Sequence, residues 1–174
     1  MDRGHEGGCP LDAMCAAIVE RYHASLHHSL PLIGDELAAM AAVAASPALG
    51  RARGAFVELA GQIESHLAKE ENLLFPAIEA LSAAQRAGAG RPDLPFSTML
   101  HPIRLMEAEH VRIESALGDL RERAREVGEP DTLLPAWHRF MAALRHLDDE
   151  LHEHHRIENE LLFPAALELE RQVW

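Results

Sequence analysis

An internal duplication constrains this chain more than any other feature. The segment HLAKEENLLFPA (His66–Ala77) recurs 88 residues later as HHRIENELLFPA (His154–Ala165), sharing the first His, the Glu four residues on and all of LLFPA. A single histidine precedes each copy at nearly the same distance: His23 lies 43 residues before His66, and His110 lies 44 before His154. A repeat of this kind defines architecture before local propensity does. The chain must be built from two related helix pairs, each carrying one lone His and one H-x-x-x-E.

Proline and glycine punctuation predicts where those helices lie. Helix A is expected from about Leu11 to Ala45, stopping before Ser46-Pro47, and helix B from about Arg51 to Arg86. GAGRPDLP (Gly88–Pro95) is the clearest loop; helix C then spans about Ser97 to Val127, and helix D about Thr132 to near the C-terminus. Ala, Leu and Glu dominate and only 5% of residues are aromatic, a balance that favours helix over sheet. Short connections between long helices imply an all-α, antiparallel up-down-up-down four-helix bundle with a two-fold internal repeat. At 174 residues it forms one domain, with residues 1–10 a short tail and 11–174 the bundle. Pro76 and Pro164 predict a kink or break after each motif.

A bundle helix buries residues at alternating spacings of three and four. The seam of helix A reads Ala16, Val19, His23, Leu26, Leu30, Ile33, Leu37, Met40, and that of helix B reads Phe56, Leu59, Ile63, His66, Glu70, Leu73, Ala77. Helix C gives Ile103, Met106, His110, Ile113, Leu117, Leu120, Ala124, Val127; helix D gives Trp137, Phe140, Leu144, Leu147, Leu151, His154, Glu158, Leu161, Ala165. Every position is apolar except His23, His66, Glu70, His110, His154 and Glu158. An ionised carboxylate in an apolar interior costs several kcal/mol even after relaxation, and here there are two. A metal ion removes that cost, because carboxylate oxygens and neutral imidazole nitrogens become ligands.

Hard carboxylates with imidazoles and no thiolate suit iron, manganese or zinc. Four His and two Glu divide naturally between two metals sharing bridging carboxylates, whereas a single zinc takes four ligands. With two His nitrogens, one oxygen from each Glu and a bridging oxo or hydroxo group, each metal has five ligands. An octahedral ion then keeps one position open for a small diatomic molecule or peroxide.

These residues resemble the hemerythrin-like, HHE cation-binding family over about Leu11 to Leu169. More narrowly, ERYH (Glu20–His23), HLAKEENLLFP (His66–Pro76), EAEH (Glu107–His110) and HHRIENELLFP (His154–Pro164) are similar to the bacterial "repair of iron centres" di-iron proteins. The resemblance implies metal ligands at His23, His66, Glu70, His110, His154 and Glu158 and a cofactor of two iron ions, an oxo- or hydroxo-bridged di-iron centre. It further implies action on nitric oxide, oxygen or peroxide in nitrosative or oxidative stress, or in iron–sulfur cluster repair with iron–sulfur proteins as partners. Two departures stand out. Oxygen-carrying hemerythrins use five histidines with an aspartate bridge, and a fifth ligand here would come from His27. The repair proteins carry a small N-terminal domain with adjacent cysteines, whereas about ten residues precede helix A here, and Cys9 and Cys15 are not adjacent. Reversible oxygen binding or sensing, and iron storage or buffering, stay open as alternatives, as does whether the chain is an enzyme.

The formal charge of −12 argues against nucleic acid or an anionic membrane as partner, and no apolar run is long enough to span a bilayer. MDRGHEGGCPLDAM lacks a secretory pattern, so the expected location is the cytoplasm and the expected assembly a monomer or homodimer. Cys9 and Cys15 read as ordinary thiols. His27, His28, His152 and His155 read as surface or rim residues, and Glu71 and Glu160 as solvent charges about 100° off the seam. Tyr22, next to a candidate ligand, reaches either the site or a boundary between helices.

Overall fold

The computed structural model describes residues 11–44 and 46–173. Four helical rods result. The first joins α1 (Leu11–Ile18) to α2 (Ala24–Val43), the second α3 (Pro47–Lys69) to α4 (Phe75–Ala87), the third is α5 (Leu100–Val127), and the fourth joins α6 (Leu134–Ile157) to α7 (Phe163–Gln172). In α1 to α4 the N-terminal half of one rod packs on the C-terminal half of the next, since α1 touches α4 and α2 touches α3. α2 also packs on α6, α3 on α5, and α4 on α7, so the first rod runs antiparallel to both the second and the fourth. No strand occurs among the described residues, and no helix is long and apolar enough to cross a membrane. The expected tail, including Cys9, and the expected helix end at Ala45 lie outside the described residues.

Each rod that contains two α-helices joins them through one π-helical turn: Val19–His23, Glu70–Leu74 and Glu158–Leu162. The kinks expected at Pro76 and Pro164 take this form. Each proline falls in the first turn of the following helix, where its missing N–H is tolerated. A wider turn inserts about one extra residue, which rotates the seam beyond it by one position. Leu73 and Leu161, expected inside, are each 51% exposed, while Leu74 and Leu162 are buried. Ala165 is likewise only half-buried, and Ala166 takes its place in the core. In the first rod the same shift exposes Ala16, leaves Val19 half-buried and buries Cys15, Ile18 and Tyr22. The third rod has no such turn, and its seam is buried as expected from Ile103 to Ala124.

Local chemistry sets the rod ends. α3 begins at Pro47, not near Arg51, because the Ser46 hydroxyl accepts the Leu49 N–H at 3.3 Å and the proline suits the first helical turn. α5 begins at Leu100, not Ser97. The Glu170 carboxylate of α7 accepts the Met99 N–H at 3.0 and 3.1 Å and the Thr98 hydroxyl at 3.0 Å, fixing that entry. Gly88 ends α4 in the left-handed region at φ 61°.

The core splits into two apolar clusters. One, at the α2/α3/α5/α6 end, gathers Leu26, Ile33, Leu59, Ile63, Leu117, Phe140 and Leu147. The other gathers Ile18, Leu74, Phe75, Ile78, Met106, Leu162 and Phe163. Between them in each rod's sequence lies a polar layer formed by the six seam residues.

Candidate metal centre

The bundle brings His23, His66, Glu70, His110, His154 and Glu158 together, each no more than 1% exposed. They divide into two overlapping groups: His23, His154, Glu70 and Glu158, and His66, His110, Glu70 and Glu158. In the first, His23 Nε2 lies 3.2 Å from His154 Nε2, 3.4 Å from Glu70 Oε2, while His154 Nε2 lies 3.0 Å from Glu158 Oε1. In the second, His66 Nε2 lies 3.2 Å from His110 Nε2 and 3.3 Å from Glu70 Oε1, and His110 Nε2 lies 3.2 Å from Glu158 Oε2. Each carboxylate thus turns one oxygen to each histidine pair, as a bridging ligand does. Each pair takes one lone His from one repeat and the H-x-x-x-E His from the other.

The donor set fits metal ions. All four carboxylate oxygens of Glu70 and Glu158 are buried without a hydrogen-bond partner among the described residues, a costly state unless a cation meets them. Burial and the facing Glu158 push the Glu70 carboxyl well above the usual carboxylate range. Burial acts on Glu158 in the same sense, but His154 and His110 outweigh it and hold that carboxyl low. Burial and the neighbouring His110 hold His66 down to about 4, and burial with His154 lowers His23. Both shifts favour the neutral imidazole of His23 and His66, the form that ligates.

Outer partners orient three rings. The Nδ1–H of His23 donates to Glu71 at 2.8 Å, that of His66 to Glu109 at 3.3 Å, and that of His110 to Asn159 Oδ1 at 3.1 Å. Each bond places Nε2 toward the cluster, which is how outer carboxylates and amides tune metal-bound histidine. Lys69 bonds Glu109 at 2.6 Å; burial raises that carboxyl, but Lys69 and His66 prevail and its pKa falls. Phe75 stacks on His23 and Phe163 on His110, with centroids 5.6 and 5.9 Å apart, so the two LLFPA copies wall opposite ends of the site.

Several expectations need correction. Glu71 is not a free solvent charge: the π-turn after Glu70 swings it onto His23. Its repeat equivalent, Asn159, bonds His110 in the same way, so the residue after each seam Glu was a legible signal that went unused. Glu109, directly before His110, was missed altogether. His155 does not face solvent; it is 1% exposed and stacks on His110 with centroids 4.0 Å apart. Glu160 does pair in solvent with Arg156, and His27 stays half exposed, 3.4 Å from Glu71 and outside the cluster. Tyr22 lies against the site, its ring stacked on His154 at 5.5 Å and its hydroxyl buried without a hydrogen-bond partner among the described residues. Cys15 is buried, and burial with nearby carboxylates pushes its thiol up to about 12.

Comparison with known proteins gives the same picture. The hemerythrin HHE cation binding domain matches residues 16–93 and 101–172. The iron-sulfur cluster repair protein YtfE of Edwardsiella ictaluri is 34% identical over 164 residues, covering 91% of this chain and 66% of that protein. The proteins of the same name from Yersinia pseudotuberculosis and Escherichia coli O157:H7 are 30% and 29% identical, again over 91% of this chain. The chain spans about two thirds of the length of these relatives: 66%, 66% and 67%. A buried His/Glu cluster able to bind metal, set in a helical bundle that this domain matches along nearly its whole length, leads to one conclusion: the chain belongs to the hemerythrin HHE cation binding domain family.

Proposed function

We propose that His23, His66, Glu70, His110, His154 and Glu158 hold two iron ions, with Glu70 and Glu158 bridging them, and that the protein is a non-haem di-iron protein serving iron–sulfur cluster repair or nitrosative and oxidative stress. One observation carries the reading: two unpartnered buried carboxylates each present one oxygen to each of two histidine pairs. When bound, the irons supply a redox couple and open positions for a small ligand such as nitric oxide, oxygen or peroxide.

The chain's own residues do the rest. Glu71, Glu109 and Asn159 hold the proton on Nδ1 of His23, His66 and His110, so that Nε2 is the ligating atom. The apolar clusters on either side exclude bulk water, which strengthens every charge interaction within the layer. Lys69 and Glu109 line a surface groove of about 370 Å³ between α3 and α5, bringing solvent within one side chain of His66. The names of the relatives favour cluster repair and iron–sulfur proteins as partners.

The test is restoration of a nitric-oxide-damaged iron–sulfur enzyme by the iron-loaded protein, with Glu158→Ala as control. Recovery by wild type alone supports the reading. Equal recovery with both proteins, or none with either alongside no reaction of the reduced protein with nitric oxide or peroxide, overturns it.

A further inference from the structure

The duplication gives the two halves of the bundle matching places, and at one of them the charges differ. Arg51 lies 15 residues before His66, as Arg139 lies 15 before His154; Arg123 lies 13 residues after His110, as Glu36 lies 13 after His23. In one half the pair closes: Arg139 on α6 donates to Glu36 on α2 at 2.6 Å, and both line a cavity of about 160 Å³. In the other half the same two places, on α3 and α5, hold Arg51 and Arg123, and the cavity they line is about 470 Å³. Where one repeat has a salt bridge, the other has two like charges.

Two guanidiniums lining one groove repel unless an anion joins them. Arg51 turns outward to Glu126 at 2.9 Å, an exposed bridge of the kind that is weak in water. Arg123 is half-buried, and its guanidinium has no hydrogen-bond or ion-pair partner among the described residues. Arg112 enters the same groove, 3.3 Å from Glu109. Three arginines therefore line one groove of a chain whose formal charge is −12. The lining also carries acceptors. Glu58 and Asp119 belong to it, and the side-chain oxygen of Gln62 is buried there without a hydrogen-bond partner among the described residues. An occupant that satisfies this lining offers O–H or N–H donors as well as anionic oxygens. Space is kept for it at Gly54, which matches Ala142 of the other half. A Cβ added at Gly54 would meet no atom within 4 Å, so packing does not call for glycine there, although glycine weakens a helix.

We propose that the groove between α3 and α5 binds a small hydroxylated anion, a hydroxy-carboxylate or a sugar phosphate. Arg123 and Arg51 take its anionic oxygens, because the guanidinium fork matches carboxylate and phosphate alike. Its hydroxyls donate to Gln62 Oε1 and to Glu58 or Asp119. A volume of about 470 Å³ is ample for such a molecule. At 1.5 Å per residue the two arginines stand roughly 20 Å along their helices from the cluster histidines. The inference is therefore independent of what the cluster holds.

The experiment is isothermal titration calorimetry of the full chain as purified, at low salt, with malate, glucose 6-phosphate and, as a dicarboxylate without a hydroxyl, succinate. Wild type should bind one malate or one glucose 6-phosphate per chain, more tightly than succinate; the tighter of the two tells whether the site takes carboxylate or phosphate. Arg123→Glu copies Glu36 and can close on Arg51, so it should weaken that binding at least about tenfold with helix and metal content unchanged. Arg123→Gln serves the same purpose if the first variant fails to fold. Arg139→Gln, in the other half, should leave the affinity as it is, and Gln62→Leu should bring malate down to succinate. No binding of either hydroxylated anion by wild type, equal affinity in both Arg123 variants, equal loss in Arg139→Gln, or succinate binding as tightly as malate and glucose 6-phosphate would each overturn the inference.

Discussion

Replacing Glu70 by Met should stabilise the metal-free protein while abolishing its metal site. Glu70 is fully buried and both its oxygens lack hydrogen-bond partners among the described residues. Burial and the facing Glu158 raise its pKa, which favours the neutral acid, and leaving the group unpaired costs about 1–3 kcal/mol. A methionine of similar length gains roughly 1.5–3 kcal/mol from burial and leaves no unpaired carboxyl facing Glu158. Exchanging buried ionisable groups for apolar ones commonly yields about 1–4 kcal/mol. A shift near 2 kcal/mol in a domain of this size raises Tm by roughly 4–8 °C. Calorimetry in a strong chelator measures it. Excess iron should reverse the order, because wild type gains about 2.7 kcal/mol at a hundredfold excess over Kd and Glu70→Met gains little. A metal-free Glu70→Met protein melting below metal-free wild type would refute the reasoning, by showing that the carboxylate supports the core without a cation.

Four further outcomes follow from the same geometry. Glu71→Ala and Asn159→Ala each free one ring nitrogen of a proposed ligand, so chelator competition should show iron affinity lower by about 10–100-fold with the helix content unchanged. Glu170→Gln weakens the charged cap on the entry to α5 and should cost about 1–2 kcal/mol by denaturant unfolding without changing metal content. Cys15, buried with its thiol pushed up to about 12, should resist alkylation at pH 8 in the native protein, as peptide mass spectrometry would show. In metal-free protein His155 is held down to about 2, so between pH 6.5 and 4 the unfolded chain takes up the proton and the folded chain does not. Stability should therefore fall as pH falls, by at most about 1.4 kcal/mol per unit from this group. His155→Leu should lose that slope, while the opposite contribution of Glu70, whose raised pKa favours the fold at lower pH, remains in both proteins. Parallel profiles for the two would contradict a buried neutral His155.

The helical class, the four rods and all six cluster residues were legible because the duplication and the three-and-four spacing are global signals, insensitive to errors of a few residues. The positions beyond each motif were not. A π-turn adds one residue of rotation, so Leu73 and Leu161 read as core when Leu74 and Leu162 occupy it. The same rotation carries Glu71 onto His23, a contact that a 3.6-residue projection places in solvent. The start of α5 escaped notice because Glu170, seventy-one residues from Met99, sets it. His155 was misplaced for a different reason: beside His154 on an acidic helix it looks like a rim residue, and only the packing of α6 against α5 shows that it is enclosed. Comparing the two repeats residue by residue, Leu67 against His155 and Glu71 against Asn159, recovers most of what spacing alone missed.

In the proposed centre two buried carboxylates bridge two irons, each held by a pair of histidines. Iron content with Mössbauer spectra of the iron-57-loaded protein, compared with Glu158→Ala, tests it most directly. Wild type should hold two irons per chain in a single coupled unit, and Glu158→Ala should lose that unit. One iron per chain, uncoupled irons, or full retention of the coupled pair by Glu158→Ala would contradict it.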